Sequence, residues 1–299
     1  MDTASPDLLF PSSTPTPSSR SPSADGAGPP TSIDADTLRR LAGSARWPQV
    51  LDVRRAPAHD ASPLRIAGAL RCAPEQVPDA PAWLDPDRDV VCVCVHGHEV
   101  SRDAAAALRG YGLRARMLVG GIEAWRAADG ATRRADARLQ VPAIGGSTWV
   151  TRSRPKVDRV ACPWLVRRFV DPRARFVYLP EGEVLGFAAR TGAIAFDLPG
   201  GAITHDGERC SFDTLCEAAG LQDEALSRLA VIVRGADTDR CALAPEAPGL
   251  LALSLGLSRL HAADDVAMLE AALPMYDALY AWCREARHES HRWQPEASR

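Results

Sequence analysis

The chain has 299 residues, of which 46% are hydrophobic and 24% charged, with a formal net charge of −3. At roughly 100–200 residues per domain this length suits two domains, with enough apolar side chain to bury a core without a disulfide or metal staple. The near-balanced charge counts against a dedicated nucleic-acid binder, and no apolar run approaches the ~20 residues of a spanning helix, so the sequence reads as soluble with no membrane partner. Eight cysteines are scattered along it. The first 32 residues lack a basic segment followed by an apolar one, so no secretory signal is legible. A reducing, cytoplasmic setting with free thiols is expected.

Residues 1–32 are rich in Pro, Ser and Thr and are expected to be a disordered tail, because they hold too little apolar surface to offset ordering entropy. From Ile33 the pattern changes. Asp34 or Asp36 caps a short helix carrying Leu38, Leu41 and Ala42. Val50-Leu51-Asp52-Val53 reads as a buried strand, and residues 55–82, punctuated by five prolines, read as loop. The run from Asp89 to Val95 (DVVCVCV) is a second buried strand, broken by Gly97. Ser101 opens a helix that stops at Gly110 or Gly112. Met117-Leu118-Val119 is a short strand, and Gly120-Gly121 turns into a helix with Ile122 and Trp125. Strands alternating with helices at this spacing predict parallel βαβ units, hence an α/β layer over 33–130.

Residues 131–146, charged and ending in Gly145-Gly146, are expected to be a linker. A second unit, 147–290, opens with a strand at 148–151, has an apolar-faced segment (Trp164, Leu165, Phe169) and a strand at 176–178. It then turns helix-rich, with helices predicted over 183–190, 211–219, 223–233, 246–260 and 264–286. Pro274 is expected to kink or divide the last of these. Residues 291–299 are taken as a tail. The second unit is therefore predicted as helix-rich α+β.

One cysteine sits where chemistry is favoured. Cys94 ends a strand and is followed by the loop Val95-His96-Gly97-His98-Glu99-Val100-Ser101 and then a helix. A strand–loop–helix turn aims backbone N–H groups into a concave nest, and the helix terminus adds partial positive charge. A thiol there has a lowered pKa, and its thiolate is a nucleophile.

The motifs Leu51-Asp52-Val53-Arg54, Ile66-Ala67-Gly68-Ala69-Leu70, the Cys94 loop and Gly120-Gly121-Ile122-Glu123-Ala124-Trp125 fall in one order and spacing. Through them residues 33–130 resemble a rhodanese domain. The resemblance implies a parallel sheet flanked by helices and a persulfide on Cys94, cradled by the backbone of 95–100, with Asp52 and Arg54 buttressing the site. It also implies a small-molecule sulfur donor, a thiophilic acceptor and no cofactor. The loop departs from the family pattern: Glu99 stands where Arg is usual, and its charge opposes a dianionic donor. The related phosphatases need an Arg six residues after the cysteine, and here that residue is Val100, which counts against phosphatase chemistry.

The second unit carries polar clusters. Arg152, Arg154, Lys156 and Arg159 form a basic run suited to an oxyanion, and Lys156 is the only lysine in the chain. Cys162-Pro163 reads as a helix start, which would place Cys162 at a helix N-terminus with a lowered pKa. Cys162, His205 and Asp237 form a possible divalent-metal set, although their spacing is long and irregular. Residues 147–285 resemble the C-terminal domain of ChrB-type chromate-resistance proteins. The likeness rests on Trp149-Val150-Thr151-Arg152, the stretch from Arg154 to Arg159, Cys162-Pro163-Trp164-Leu165, Arg234-Gly235-Ala236-Asp237-Thr238-Asp239, the stretch from Gly249 to Leu260, and Tyr276-Asp277-Ala278-Leu279-Tyr280. It implies a link to chromate, a tetrahedral dianion, or to a related oxyanion.

The leading expectation is a rhodanese-type sulfurtransferase or persulfide carrier acting in sulfur or oxyanion-stress chemistry. The alternatives are a non-catalytic oxyanion or redox sensor that regulates chromate resistance, and a metalloenzyme centred on the second unit. No recognition helix is legible and the net charge is acidic, which argues against DNA as a partner.

Overall fold

The computed structural model describes residues 30–140, 142 and 145–289. The polar tail expected at 1–32 lies outside the described residues as far as residue 29, as does the tail at 291–299.

In chain order the first half comprises β1 (Ser32–Ile33), α1 (Ala35–Leu41), β2 (Gln49–Asp52), α2 (Ala56–Asp60), β3 (Leu64–Ile66), β4 (Leu70–Arg71), β5 (Val90–Val93), α3 (Glu99–Gly110), β6 (Ala115–Leu118) and α4 (Gly121–Ala127). A five-stranded sheet runs β1-β6-β5-β2-β4, every neighbouring pair parallel. The central strands β2 and β5 are buried at every residue, as covered parallel strands must be, which explains their unbroken apolar reading. Asp34 caps α1 by accepting from the Thr37 N–H at 2.7 Å. Ser32 and Ile33 register with Met117 and Leu118, so ordered structure begins inside the stretch taken as tail. The stretch at 55–82 is more structured than its prolines suggested. It holds α2, β3, β4 and a 3₁₀ segment over Pro74–Ala82, with Pro57 and Pro74 near the helix starts, where a missing N–H costs nothing.

The second half comprises β7 (Thr132–Arg134), β8 (Thr148–Arg152), α5 (Asp158–Leu165), β9 (Arg175–Leu179), α6 (Glu181–Thr191), β10 (Ile194–Ala195), α7 (Ser211–Ala218), β11 (Leu221–Gln222), α8 (Glu224–Asp237), α9 (Ala247–Leu260) and α10 (Asp265–Ala281). A parallel three-stranded sheet, β10-β8-β9, supports the helices. The core centres on Trp164, whose ring lies 5.6–6.4 Å from those of Phe169, Phe212, Tyr276 and Tyr280. The fold is thus a parallel α/β layer followed by a helix-rich α+β unit, as the sequence predicts.

Three expectations are corrected. The segment 131–146 is not a plain linker: β7 pairs antiparallel with β3 on one side and β11 on the other, stitching the two halves into one sheet. Pro274 does not divide the last helix, and α10 runs through it. Pro274 is exposed, so the Glu270 carbonyl that loses its partner faces water. Cys162 is not at a helix start, since α5 begins at Asp158 and Pro163 lies inside it. The carbonyl orphaned by Pro163 belongs to Arg159, and Tyr178 Oη donates to it at 3.1 Å. That bond satisfies the carbonyl that the proline leaves without a helical partner.

The halves also meet through side chains. The Arg284 guanidinium donates to the Arg39 and Ala42 carbonyls at 2.9 and 3.1 Å, capping the C-terminus of α1. Asp277 on α10 accepts from the Ala45 N–H, from Trp164 Nε1 and from Arg168.

Candidate functional site

Cys94 follows directly on β5 and lines a cleft of about 600 Å³. The loop from Cys94 to Ser101 curls back over the start of α4. There the Ile122 and Glu123 N–H groups donate to the Cys94 and Val95 carbonyls at 3.0 and 3.3 Å. Two glycines make this packing possible. Gly97 has φ +69°, and a Cβ there would sit 2.5 Å from the Gly120 nitrogen and the Leu118 carbonyl. Gly121 has φ +60°, and its Cβ would meet the Cys94 and Val95 carbonyls at 2.4 Å. The conspicuous Gly120-Gly121 pair is therefore part of the cysteine loop's seat.

The electrostatics separate Cys94 from its neighbour. Burial pushes the Cys92 thiol up to about 12. Burial also opposes ionisation of Cys94, but there the Ser101 hydroxyl and the backbone of His98, Ser101 and Gly97 outweigh it, and the pKa falls below the ordinary thiol value. Ser101 Oγ lies 3.2 Å from Sγ and is itself buried. Cys94, Val95, His96, Gly97, His98, Glu99 and Val100 all line the cleft, and Ser101 lies against the sulfur. His96 and His98 face solvent with ring centroids 5.9 Å apart.

Asp52 and Arg54 form a buried bidentate pair, Nε to Oδ1 at 2.9 Å and Nη2 to Oδ2 at 2.6 Å, and Arg54 reaches the cleft wall. Sequence reasoning missed Arg55 and Arg102, which also line the cleft. Arg102 pairs with Asp103 at 3.3 Å, so the lining carries Arg55 and Arg54 along with the exposed Glu99. The signal was available in the Arg54-Arg55 doublet and in Arg102 one position beyond Ser101.

In the second half the structure gathers His205 and Asp237, but with Asp158 in place of Cys162. One ligating atom from each of Asp158, His205 and Asp237 lies within 4.8 Å of the others. His205 Nε2 is 3.2 Å from Asp237 Oδ2, 3.4 Å from Asp197 Oδ1 and 3.7 Å from Asp158 Oδ2. Cys162 lies one turn along α5 from Asp158, in the core. Burial and the nearby carboxylates raise its pKa well above the ordinary thiol value, opposite to the expected lowering. Burial, then Asp237 and Asp197, raise Asp158 well above the usual carboxylate range.

The basic run does not converge on an anion. Arg152 and Arg159 both pair with Asp197, at 3.4 and 3.3 Å, and so belong to the acidic cluster. The Arg154 N–H donates to Asp265, and Lys156 lies in the turn before α5. Asp158, Asp197 and the pinning of Val157 were missed, because nothing local marks them. Val157 has φ +20°, a strained value for a β-branched residue. Its N–H donates to Ser254 Oγ at 2.9 Å and its carbonyl accepts from Tyr276 Oη at 3.1 Å.

Residues 34–128 match the family model for the rhodanese-like domain. Residues 149–283 match that for the ChrB C-terminal domain, so the chain is a rhodanese-like domain fused to a ChrB C-terminal domain. Protein ChrB of Cupriavidus metallidurans is 38% identical over 136 residues, which are 45% of this chain and 40% of that protein. The chain thus spans less than half the length of this curated relative. Among solved structures, a rhodanese-related protein from Thermoplasma volcanium is 26% identical over 32% of this chain and 90% of its own, with a TM-score of 0.28. A full-length protein from Lactobacillus plantarum is 26% identical over 35% and 88%, with a TM-score of 0.32. No helix among the described residues is long and apolar enough to cross a membrane.

Proposed function

We propose that the rhodanese-like domain is a persulfide carrier and that the chain works in chromate resistance or related oxyanion stress, in a reducing cytoplasm. The observation that carries the sulfur reading is Cys94 in the lining of a cleft, with its pKa held down by Ser101 and the loop backbone. The thiolate attacks the sulfane sulfur of a donor. A bond forms from Sγ to that sulfur, and the donor's own bond to it breaks, the remainder leaving with the electron pair. A thiophilic acceptor then takes the outer sulfur, and the pair from the S–S bond returns to Cys94 as thiolate. The terminal persulfide anion is held by the same loop groups that stabilise the thiolate. Arg55 in the cleft lining favours an anionic donor. The connection to chromate rests on the likeness of residues 149–283 to the ChrB C-terminal domain.

The test is a sulfurtransferase assay of the full chain and of Cys94→Ala with thiosulfate, an organic thiosulfonate and a glutathione persulfide as donors. Turnover by the wild type with at least one donor is expected, with a loss of at least about 10³-fold in the variant. Equal turnover by both proteins contradicts the reading.

A further inference from the structure

A second centre lies in the ChrB-like half, built by residues the sulfur chemistry does not use. We propose that Asp158, Asp237 and His205 bind one divalent first-row transition cation, with Asp197 as a positioning residue.

Three features point to a cation. The spacing of the donor atoms is right: bonds of about 2.1 Å place neighbouring ligands about 3.0 Å apart in octahedral and about 3.4 Å apart in tetrahedral geometry. His205 Nε2 stands 3.2 Å from the Asp237 oxygen and 3.7 Å from the Asp158 oxygen. The second feature is an orphaned atom. Asp158 is fully buried; Oδ2, the oxygen nearer His205, also accepts from the Phe212 N–H at 3.2 Å, and the other oxygen of the same carboxylate, Oδ1, has no hydrogen-bond partner. A buried carboxylate oxygen without a partner is costly unless a cation meets it.

The third feature is the local charge. Asp197 is balanced by Arg152 and Arg159 and fixed by Ser211 Oγ at 2.9 Å. Neither Asp158 nor Asp237 pairs with an arginine or lysine among the described residues; the ionisable base each meets there is His205. Two carboxylates therefore remain to be balanced, and a divalent ion with a neutral imidazole does so.

The elements hold the donors in place. Asp158 opens α5 behind the pinned Val157, and Asp237 closes α8 with its Oδ1 accepting from the Asp158 N–H at 3.3 Å. The carbonyl before His205 accepts from Thr214 Oγ1 at 2.8 Å. His205 is 42% exposed, which leaves a path for the ion to enter and an open side for water or an anion. The mixed imidazole and carboxylate set favours Mn²⁺, Fe²⁺ or Zn²⁺ over Ca²⁺ and Mg²⁺, which prefer all-oxygen shells.

The competing account makes His205 an imidazolium that ties the carboxylates together without metal. Full-length protein stripped with chelator and dialysed against Mn²⁺, and separately against Zn²⁺, distinguishes the two by elemental analysis and by the shift in thermal unfolding. Binding of one equivalent of at least one ion, with a rise in Tm, is expected for the wild type. His205→Ala, a half-exposed position whose loss leaves the core intact, and Asp237→Asn should each weaken binding at least about tenfold. His261→Ala, remote from the cluster, should bind as the wild type does. Binding of neither ion, or binding that survives either substitution at the cluster, overturns the proposal.

Discussion

Replacing Ser101 with alanine removes the one side-chain hydroxyl against the Cys94 sulfur. Ser101 Oγ is 3.2 Å from Sγ and 3.2 Å from the His98 carbonyl. When the thiol is ionised the hydroxyl donates to the sulfur. Ser101 is 0% exposed, so water does not take the place of its hydroxyl. A hydrogen bond to a charged group contributes about 1.5–3 kcal/mol, and a large, soft sulfur accepts at the low end. At about 1.4 kcal/mol per pKa unit, the Cys94 pKa should rise by about one unit.

The consequence for reactivity has two parts. Below both pKa values the variant holds about tenfold less thiolate, but each thiolate is about threefold more nucleophilic, so alkylation slows about threefold. Above both pKa values alkylation of the variant is about threefold faster, and the two pH profiles cross. The assay is the rate of iodoacetamide labelling of the Cys94 peptide against pH, followed by mass spectrometry. The stability effect has a definite sign. The native thiol ionises below its ordinary value, so Ser101 stabilises the folded chain above the ordinary thiol pKa, and that increment fades as pH falls through the native value. Superimposable labelling profiles for wild type and Ser101→Ala would refute this account of how the thiolate is held.

Other substitutions probe the scaffold. Gly121→Ala places a Cβ 2.4 Å from two loop carbonyls at a positive φ, so a loss of at least about 2–3 kcal/mol in urea unfolding is expected, together with impaired sulfur transfer; unchanged values would mean the loop does not need this seat. Arg54→Met leaves the Asp52 carboxylate buried without its cation and should cost about 3–5 kcal/mol by thermal or urea unfolding, whereas a wild-type midpoint would show the pair contributes little. Tyr178→Phe strands the Arg159 carbonyl opposite Pro163 and should cost about 1–2 kcal/mol in the same measurement, with no loss expected if that carbonyl has another partner.

The Cys94 loop was legible because its parts are contiguous. A buried strand, a cysteine, Gly97 and a helix start lie within a dozen residues, so local geometry sets the surroundings of the sulfur. The second centre was only half legible. Asp158, Asp197, His205 and Asp237 are spread over 80 residues and meet only when β8, β10, α5 and α8 pack, so no spacing rule reveals them. Cys162 misled because a proline after a polar residue is an ordinary helix-start signal. Here a tertiary bond from Tyr178 satisfies the orphaned carbonyl, and the helix begins four residues earlier. The strand β7 was hidden for a related reason: Thr132-Arg133-Arg134 has no apolar alternation, and its pairing comes from two partners distant in sequence. The long helices, by contrast, declared themselves through apolar periodicity, and the predicted 246–260 coincides with α9 to within a residue.

The most direct measurement of the central claim is the mass of the Cys94 peptide after brief incubation of the full chain with a sulfane-sulfur donor. A persulfide adds the mass of one sulfur, about 32 Da, and should appear on Cys94 rather than on Cys92 or Cys72, whose thiols burial pushes up to about 12 and about 11. It should vanish when a thiophilic acceptor is added. An adduct that never forms on Cys94, or that forms there but survives the acceptor, would contradict the account.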